Sequence, residues 1–476
     1  MKKILAVLLL LVLLLPLVSC GGTESVATSG IRTTVEETTV AATTIADVIA
    51  EITTAATEGQ TEPEPEPWGC TVRLSTFEGS VPIHTAKQAA YLADKDEGAA
   101  TNYARGESEL SRPVPITLSW DVDFGSAENN LWYQIVRIWT KPDGSDAKSY
   151  LFGRSTREYQ IYNLFIRQRY YWNVTAYGTG GEVIVSDTES FVTESQAPRN
   201  LYVDGVTNVR DLGGRRTEDG GRVRQGLLYR GGELNNVNAT PLITDEGIRT
   251  MRQTFGIKTE FDLRASDEYG GITKSFLGDD VKYIRKSGST NIITDYTHSW
   301  LIQVFSLLAD ESNYPIYLHC IIGTDRTGIV SWLVNGLCGV SEEDLWRDFL
   351  FSNFGKIGSS REKSKIQDRY VNQLKSAPGD TFAEQIYNYL NQTCGVPASY
   401  LDSVIRIMKV PQGQLIENYT YPPAEHTHKA ERTFTTVEVP TGTYPGVMVR
   451  YCSICGEFVE ETIAGFTVVS SDAGAQ

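Results

Sequence analysis

Residues 315–339 read PIYLHCIIGTDRTGIVSWLVNGLCG, and this stretch limits the fold more than any other. Its opening is an apolar run of strand length. Its end, TGIVSWLVNGLCG, has helical length and is apolar nearly all round, so that helix must lie centrally, covered on every side. The two are joined by HCIIGTDRTG, residues 319–328. A strand, a tight loop and a buried helix in succession make a backbone cup at a helix N-terminus. Successive N–H groups converge there and the helix dipole favours negative charge.

The residues of that cup suit a held oxyanion. Cys320 lies at its base, where the same field is expected to lower the thiol pKa into the ~3.5–7.5 range of activated cysteines. Arg326, after five intervening residues, can return over the cup and grip two phosphate oxygens in a fork that Lys would not reproduce. Gly323 admits close approach of the backbone. Thr327 is expected to donate its hydroxyl to the sulfur. The amides from Ile321, Ile322, Gly323 and Thr324 through Thr327 and Gly328 complete a phosphate-binding surface. This set supports phosphoryl transfer through a cysteinyl-phosphate, in which loop amides and Arg326 carry the charge and no cofactor is needed.

His319, Cys320, Gly323, Arg326, Thr327 and Gly328 match the HC-x5-RTG loop of protein tyrosine phosphatases. With Asp325 directly before Arg326, the loop resembles the bacterial tyrosine/dual-specificity branch, which also hydrolyses some phosphoinositides. NVRDLGG (208–214), YRGGEL (229–234) and FDLR (261–264) resemble further elements of that branch, over residues 198–411. The resemblance implies that Asp325 is the general acid, with Asp262 in reserve. No Trp-Pro-Asp tripeptide is present to supply one from a mobile loop. Asp262 and Arg264 are expected to form a structural pair, and Arg210 and Asp211 a salt bridge bracing the site. His319 is expected to bond the loop backbone rather than react. Thr324 stands where the branch often has Lys. That loss of positive charge favours phosphotyrosine-type substrates, with phosphoinositide hydrolysis or a catalytically silent binding protein as alternatives.

Around this segment strands and helices alternate, which predicts an α/β domain over 198–411, a mostly parallel central sheet flanked by helices. ITDEGIRTMRQTF places Ile248, Met251 and Phe255 on one helical face, with Thr244 as N-cap. Residues 68–195 are instead β-rich, with ITLSWD, LWYQIVRIWT and YYWNVTAYG punctuated by turn clusters. Leu164, six before Tyr170, with Trp172, Val174 and Ala176 following on one face, resembles the corner of a fibronectin type III domain. An all-β sandwich of that kind is expected over 68–195. The segment around 81–106 is more helical and has no place in that pattern.

The two ends are of another kind. Lys2, Lys3 and the apolar run after them form a signal over 1–19, and LVSC before Gly21 resembles a bacterial lipobox with Cys20 as the lipidated residue. Residues 20–67, rich in Thr, Ala, Glu and Gly, cannot bury a core and read as a disordered stalk. The expected location is the outer face of the cell membrane, lipid-anchored. A net charge of −16 without a basic run argues against nucleic acid as partner. The partner expected is a phosphorylated protein or phosphoinositide substrate. The 412–476 tail is β-rich and carries His426, His428, Cys452 and Cys455, two nitrogen and two sulfur donors suited to zinc. It resembles small zinc-ribbon-like repeats, although Cys452 and Cys455 can equally form a disulfide.

Overall fold

The structure, a computed structural model, describes residues 68–288, 295–414, 427–441 and 444–464. The signal, Cys20, the stalk and His426 lie outside these residues. The described residues form one compact unit.

The first part is a pair of facing sheets. Thr71–Leu74, Ile116–Asp123 and Glu158–Ile161 pair antiparallel in one. The other runs Ser80–Val81, Glu189–Thr193, Arg169–Gly178, Leu131–Trp139, Lys148–Gly153, with Val183–Val185 paired to Arg169–Gly178. Strict alternation drives this: Ile116, Leu118, Trp120 and Val122 are buried, and so are Tyr170, Trp172, Val174 and Ala176 on the facing sheet. Tyr170 closes the corner, its hydroxyl accepting the Phe165 N–H at 2.8 Å.

One boundary expected from sequence shifts. The Ala86–Ala93 helix, capped by Thr85 and Gln88, and the following turn do not join the sandwich core. Tyr91, Leu92, Ala100 and Ala104 pack into the α/β core instead. Arg347 holds them there by donating to the Tyr91 and Asp94 carbonyls at 3.3 and 2.6 Å. Helical periodicity in this stretch, foreign to a β-sandwich, was the sequence sign of its allegiance.

The α/β part is built on a six-stranded sheet in the order Arg199–Asn200, Arg210–Asp211, Leu228–Gly231, Ile316–His319, Thr259–Asp262, Lys282–Arg285. The last four are parallel and the first two antiparallel. His319 lies in register with Gly231 on one side and Asp262 on the other, so three parallel strands end together. Ligands bind beyond such carboxyl ends. The Asp325–Leu337 helix starts there and is buried from Thr327 to Leu337. Thr244 caps the Asp245–Arg249 helix; of the face expected from sequence, Met251 and Phe255 are buried and Ile248 is half-buried against them. In the tail, Thr435–Glu438, Gly446–Tyr451 and Phe458–Ala464 pair antiparallel. Val447 and Val449 pack on Leu151 of the sandwich.

Candidate active site

The loop after His319 is held by its carbonyls. The Ile321 oxygen accepts the Glu233 N–H at 2.9 Å. That of Ile322 accepts Asn208 Nδ2 at 3.0 Å, and that of Gly323 accepts Arg230 Nη2 at 2.7 Å. The Cys320 oxygen lies 3.1 Å from His319 Nδ1. In a trans peptide each carbonyl opposes the next N–H. With four successive carbonyls turned to the scaffold, the N–H groups of Ile321, Ile322, Gly323 and Thr324 turn the other way. None of these four donates to another described residue. Gly323 permits this with φ +68°, and a Cβ there would lie 2.2 Å from the Gly231 oxygen.

Charge behind the loop is positive. Asp348, on the buried face of Glu342–Phe351, accepts from Arg210 at 3.0 Å, Arg215 at 3.0 Å and Arg230 at 2.6 Å. All four are buried, so three guanidiniums face one carboxylate. Burial opposes ionisation of Asp348, but the three cations hold its carboxyl far below the usual range. Burial and nearby Arg210 lower Arg230 to about 9, which leaves it charged at neutral pH. The excess cations touch the loop through Arg230 and, by way of Asn208, through Arg210. Their field favours an anion in the cup.

The salt bridge expected between Arg210 and Asp211 is not formed. Neighbours on a strand point to opposite faces. Arg210 reaches Asp348, while Asp211 meets Arg199 at 2.9 Å. Asp262 and Arg264 do pair, at 2.8 Å, with neither side chain exposed. Asp262 also accepts the Tyr283 hydroxyl at 2.8 Å. Although burial opposes it, the His319 and Arg264 charges bring Asp262 down to about 2. His319 bridges Cys320 and Glu260, with Nε2 3.0 Å from the Glu260 carboxylate.

Cys320 is buried at the base of the loop. Arg326, 12% exposed, presents its Nη1–Nη2 edge to Glu268 at 2.5 and 3.2 Å. Burial would lower its pKa, but Glu268 and the Cys320 sulfur raise it on balance. The Nε edge remains for an oxyanion. Asp325, 31% exposed, is gripped by Arg361, Nε and Nη2 each 2.9 Å from a carboxylate oxygen. The expected Thr327–Cys320 bond is not formed: Thr327 Oγ1 is buried with no partner among the described residues. Gly328 packs its backbone against Phe349.

Sequence reading missed Asp348, Glu268, Arg361 and the side-chain roles of Arg230 and Asn208. Asp348 left a trace, an acid on the same helical face as Leu345 and Phe349. Glu268 and Arg361 lie outside regular elements, where no periodicity marks them. Cys338 and Cys394 are core thiols, pushed to about 12 by burial. In the tail His428, Cys452 and Cys455 converge, their ligand atoms within 4.8 Å of one another. A cavity of about 270 Å³ lined by Arg285, Lys286, Ser299 and Trp300 lies toward the edge strand and includes no loop residue.

Residues 201–421 match the profile of the tyrosine phosphatase family. A protein of Cupriavidus necator named as a tyrosine-protein phosphatase is 26% identical over 254 residues, 47% of this chain and 84% of that protein. A tyrosine-protein phosphatase of Nostoc commune is 26% identical over 154 residues, covering 28% of this chain and 52% of its own. The core catalytic domain of the PP-IP phosphatase SIW14 from S. cerevisiae aligns at 15% identity. It covers 34% of this chain and 91% of that domain with a TM-score of 0.23, too low to carry an argument. The matched segment contains the loop from Cys320 to Arg326, and its similarity to tyrosine phosphatases supports a tyrosine phosphatase hydrolase.

Proposed function

We propose that the chain is a surface-tethered protein tyrosine phosphatase acting on phosphotyrosine-type monoesters through a cysteinyl-phosphate. The Cys320 thiolate attacks phosphorus in line as the P–O bond to the phenol breaks. Asp325 gives its proton to the leaving oxygen. Water then attacks phosphorus, returns a proton to Asp325 and releases phosphate with the thiolate restored. The loop amides and the Nε edge of Arg326 hold the equatorial oxygens. The observation that carries this reading is the set of carbonyls from Cys320 to Gly323 tied to the scaffold, which leaves the four following N–H groups turned away from it and available to an oxyanion. Asp325 is favoured over Asp262 because it is partly exposed, whereas Asp262 is enclosed and ionised. Arg361 must release Asp325 during turnover. The lipobox-like LVSC motif supports a Cys20 anchor, the stalk a spacer, and the fibronectin type III-like sandwich a mount for the catalytic domain.

The test is hydrolysis of p-nitrophenyl phosphate by the full chain, with vanadate as competitor. Activity abolished by Cys320→Ser with the fold retained supports the proposal. A Cys320→Ser protein as active as the wild type, or indifference to vanadate, defeats it. A panel of phosphotyrosine peptides, phosphoserine peptides and phosphoinositides then ranks substrates, with phosphotyrosine expected first.

A further inference from the structure

The C-terminal sheet has too little core to explain its order. Among its described residues, Val447, Val449 and Cys452 alone are fully covered apolar side chains. Three short strands with so small an interior ordinarily need a staple. One set of donors is placed to supply it.

Cys452–Glu457 is the turn joining the Gly446–Tyr451 and Phe458–Ala464 strands. It is closed by Cys452 N–H to the Glu457 oxygen at 2.7 Å and Gly456 N–H to the Cys452 oxygen at 2.9 Å. Gly456 adopts φ +74°, which completes a Cys-x-x-Cys-Gly knuckle. Inside it the Ile454 N–H points at Cys452 Sγ at 3.4 Å. An amide aimed at sulfur stabilises a thiolate better than a thiol. The third donor comes from another segment. Residues 429–431 run antiparallel to 451–453, with Ser453 N–H to the Lys429 oxygen and Glu431 N–H to the Tyr451 oxygen, both 2.8 Å. This register brings His428 Nδ1 to 3.5 Å from Cys455 Sγ. Tetrahedral zinc, with bonds of about 2.0–2.3 Å, separates a nitrogen and a sulfur ligand by roughly 3.6 Å.

We propose that His428, Cys452 and Cys455 hold one zinc-class divalent ion whose role is structural. Both thiols lose their protons on binding and His428 ligates through Nδ1, so loading releases protons. Two soft sulfurs and an imidazole favour zinc over calcium or magnesium. A fourth position is left for solvent or a further donor. The ion fixes the knuckle, and the knuckle is where the tail meets the catalytic domain: Gln253 Nε2 donates to the Cys452 oxygen at 3.3 Å. On the other side Trp132 Nε1 donates to the Pro445 oxygen at 2.8 Å and Arg154 pairs with Glu438 at 3.3 Å. The metal thus clasps the tail across both larger parts.

The experiment is elemental analysis of the purified full chain, loaded with zinc and desalted. About one zinc per chain is expected, falling at least tenfold in Cys455→Ser and in His428→Ala. Both variants should still hydrolyse p-nitrophenyl phosphate, which establishes that they fold and separates this test from that of the catalytic reading. Cobalt loading of the wild type should give a thiolate-to-metal charge-transfer band that the variants lack. A strong chelator should make the tail more susceptible to protease without touching the catalytic domain. Zinc retained by a Cys452→Ser, Cys455→Ser double variant overturns the proposal. So does a metal-free wild type, or an intact mass two hydrogens light that marks a Cys452–Cys455 disulfide in the loaded protein.

Discussion

Asp262 and Asp325 are carboxylates of the same fold with opposite surroundings. Asp262 is ringed by Arg264, Tyr283 and His319, and a group held near 2 has no proton to give at neutral pH. Asp325 meets solvent on one side and Arg361 on the other. Asp325→Asn should therefore cut turnover of phenyl phosphate by about 10²–10⁴-fold, the usual worth of a general acid. It should affect p-nitrophenyl phosphate far less, since that leaving group needs little help. Equal losses on both would place the acid elsewhere. His319 makes a second prediction. Burial disfavours its charged form, but the Asp262 and Glu260 carboxylates raise its pKa overall. A histidine raised on folding stabilises fully below its unfolded value of about 6.5, and that contribution is lost as pH climbs through the folded value. Urea unfolding midpoints should fall with pH above neutrality, and His319→Gln should flatten that fall. An unchanged slope would mean that the imidazole is neutral in the fold. The identities of these residues were legible in the order HC…DRTG and FDLR. Arg264, the partner of Asp262, was legible there too, but Arg361 and Glu260 were not, because an ion pair between positions 36 or 59 apart leaves no local pattern.

The loop and its helix were the most readable element, since a helix apolar on every side admits only a central position. What sequence could not convey is how the loop stays open. Its carbonyls are tied to four separate places: Asn208, Arg230, the Glu233 amide and His319. Gly323 is where that arrangement is least tolerant, at positive φ and in contact with Gly231. Gly323→Ala should leave the domain folded, because the strain falls on one loop residue and the adjoining end of the Leu228–Gly231 strand, while the amides lose their common aim. The expected outcome is loss of vanadate binding, read by calorimetry, with kcat/KM down about a hundredfold or more, comparable to removing an oxyanion donor. Retained vanadate affinity would mean that the amides are not what binds the oxyanion. The Asp348 cluster explains why the loop needs no metal to collect charge in this reading. Three buried arginines for one acid is an imbalance that the fold tolerates where an anion visits.

At the scale of the whole molecule, the sandwich and the catalytic domain share a buried seam rather than a linker. In the structure the sandwich's last strand ends at Thr193 and the first strand of the six-stranded sheet begins at Arg199, and sequence texture changes in the same stretch. It did not show that the sandwich corner is built into the neighbour. Arg199, 2% exposed, donates to the Leu164 oxygen at 3.0 Å and the Asn163 oxygen at 2.5 Å, stacks over Phe165, and pairs with Asp211 at 2.9 Å. Gln225 meets both the N–H and the carbonyl of Ile166 at 3.1 and 3.0 Å. One side chain therefore satisfies the corner carbonyls of the sandwich and the buried acid of the NVRDLGG segment at once. Arg199→Met keeps an unbranched apolar side chain at the seam but strands Asp211, which retains only the Gly213 and Gly226 amides at 2.8 and 2.7 Å. Breaking such a pair costs about 3–5 kcal/mol. Because the lost bonds to Asn163 and Leu164 cross the seam, the expected calorimetric outcome is a single transition splitting into two, with the sandwich unfolding independently of the catalytic domain. Activity at low temperature should survive, since no residue of the phosphate loop touches Arg199. A single unshifted transition in Arg199→Met would mean that the two parts fold without leaning on each other, and that the sandwich is only a spacer.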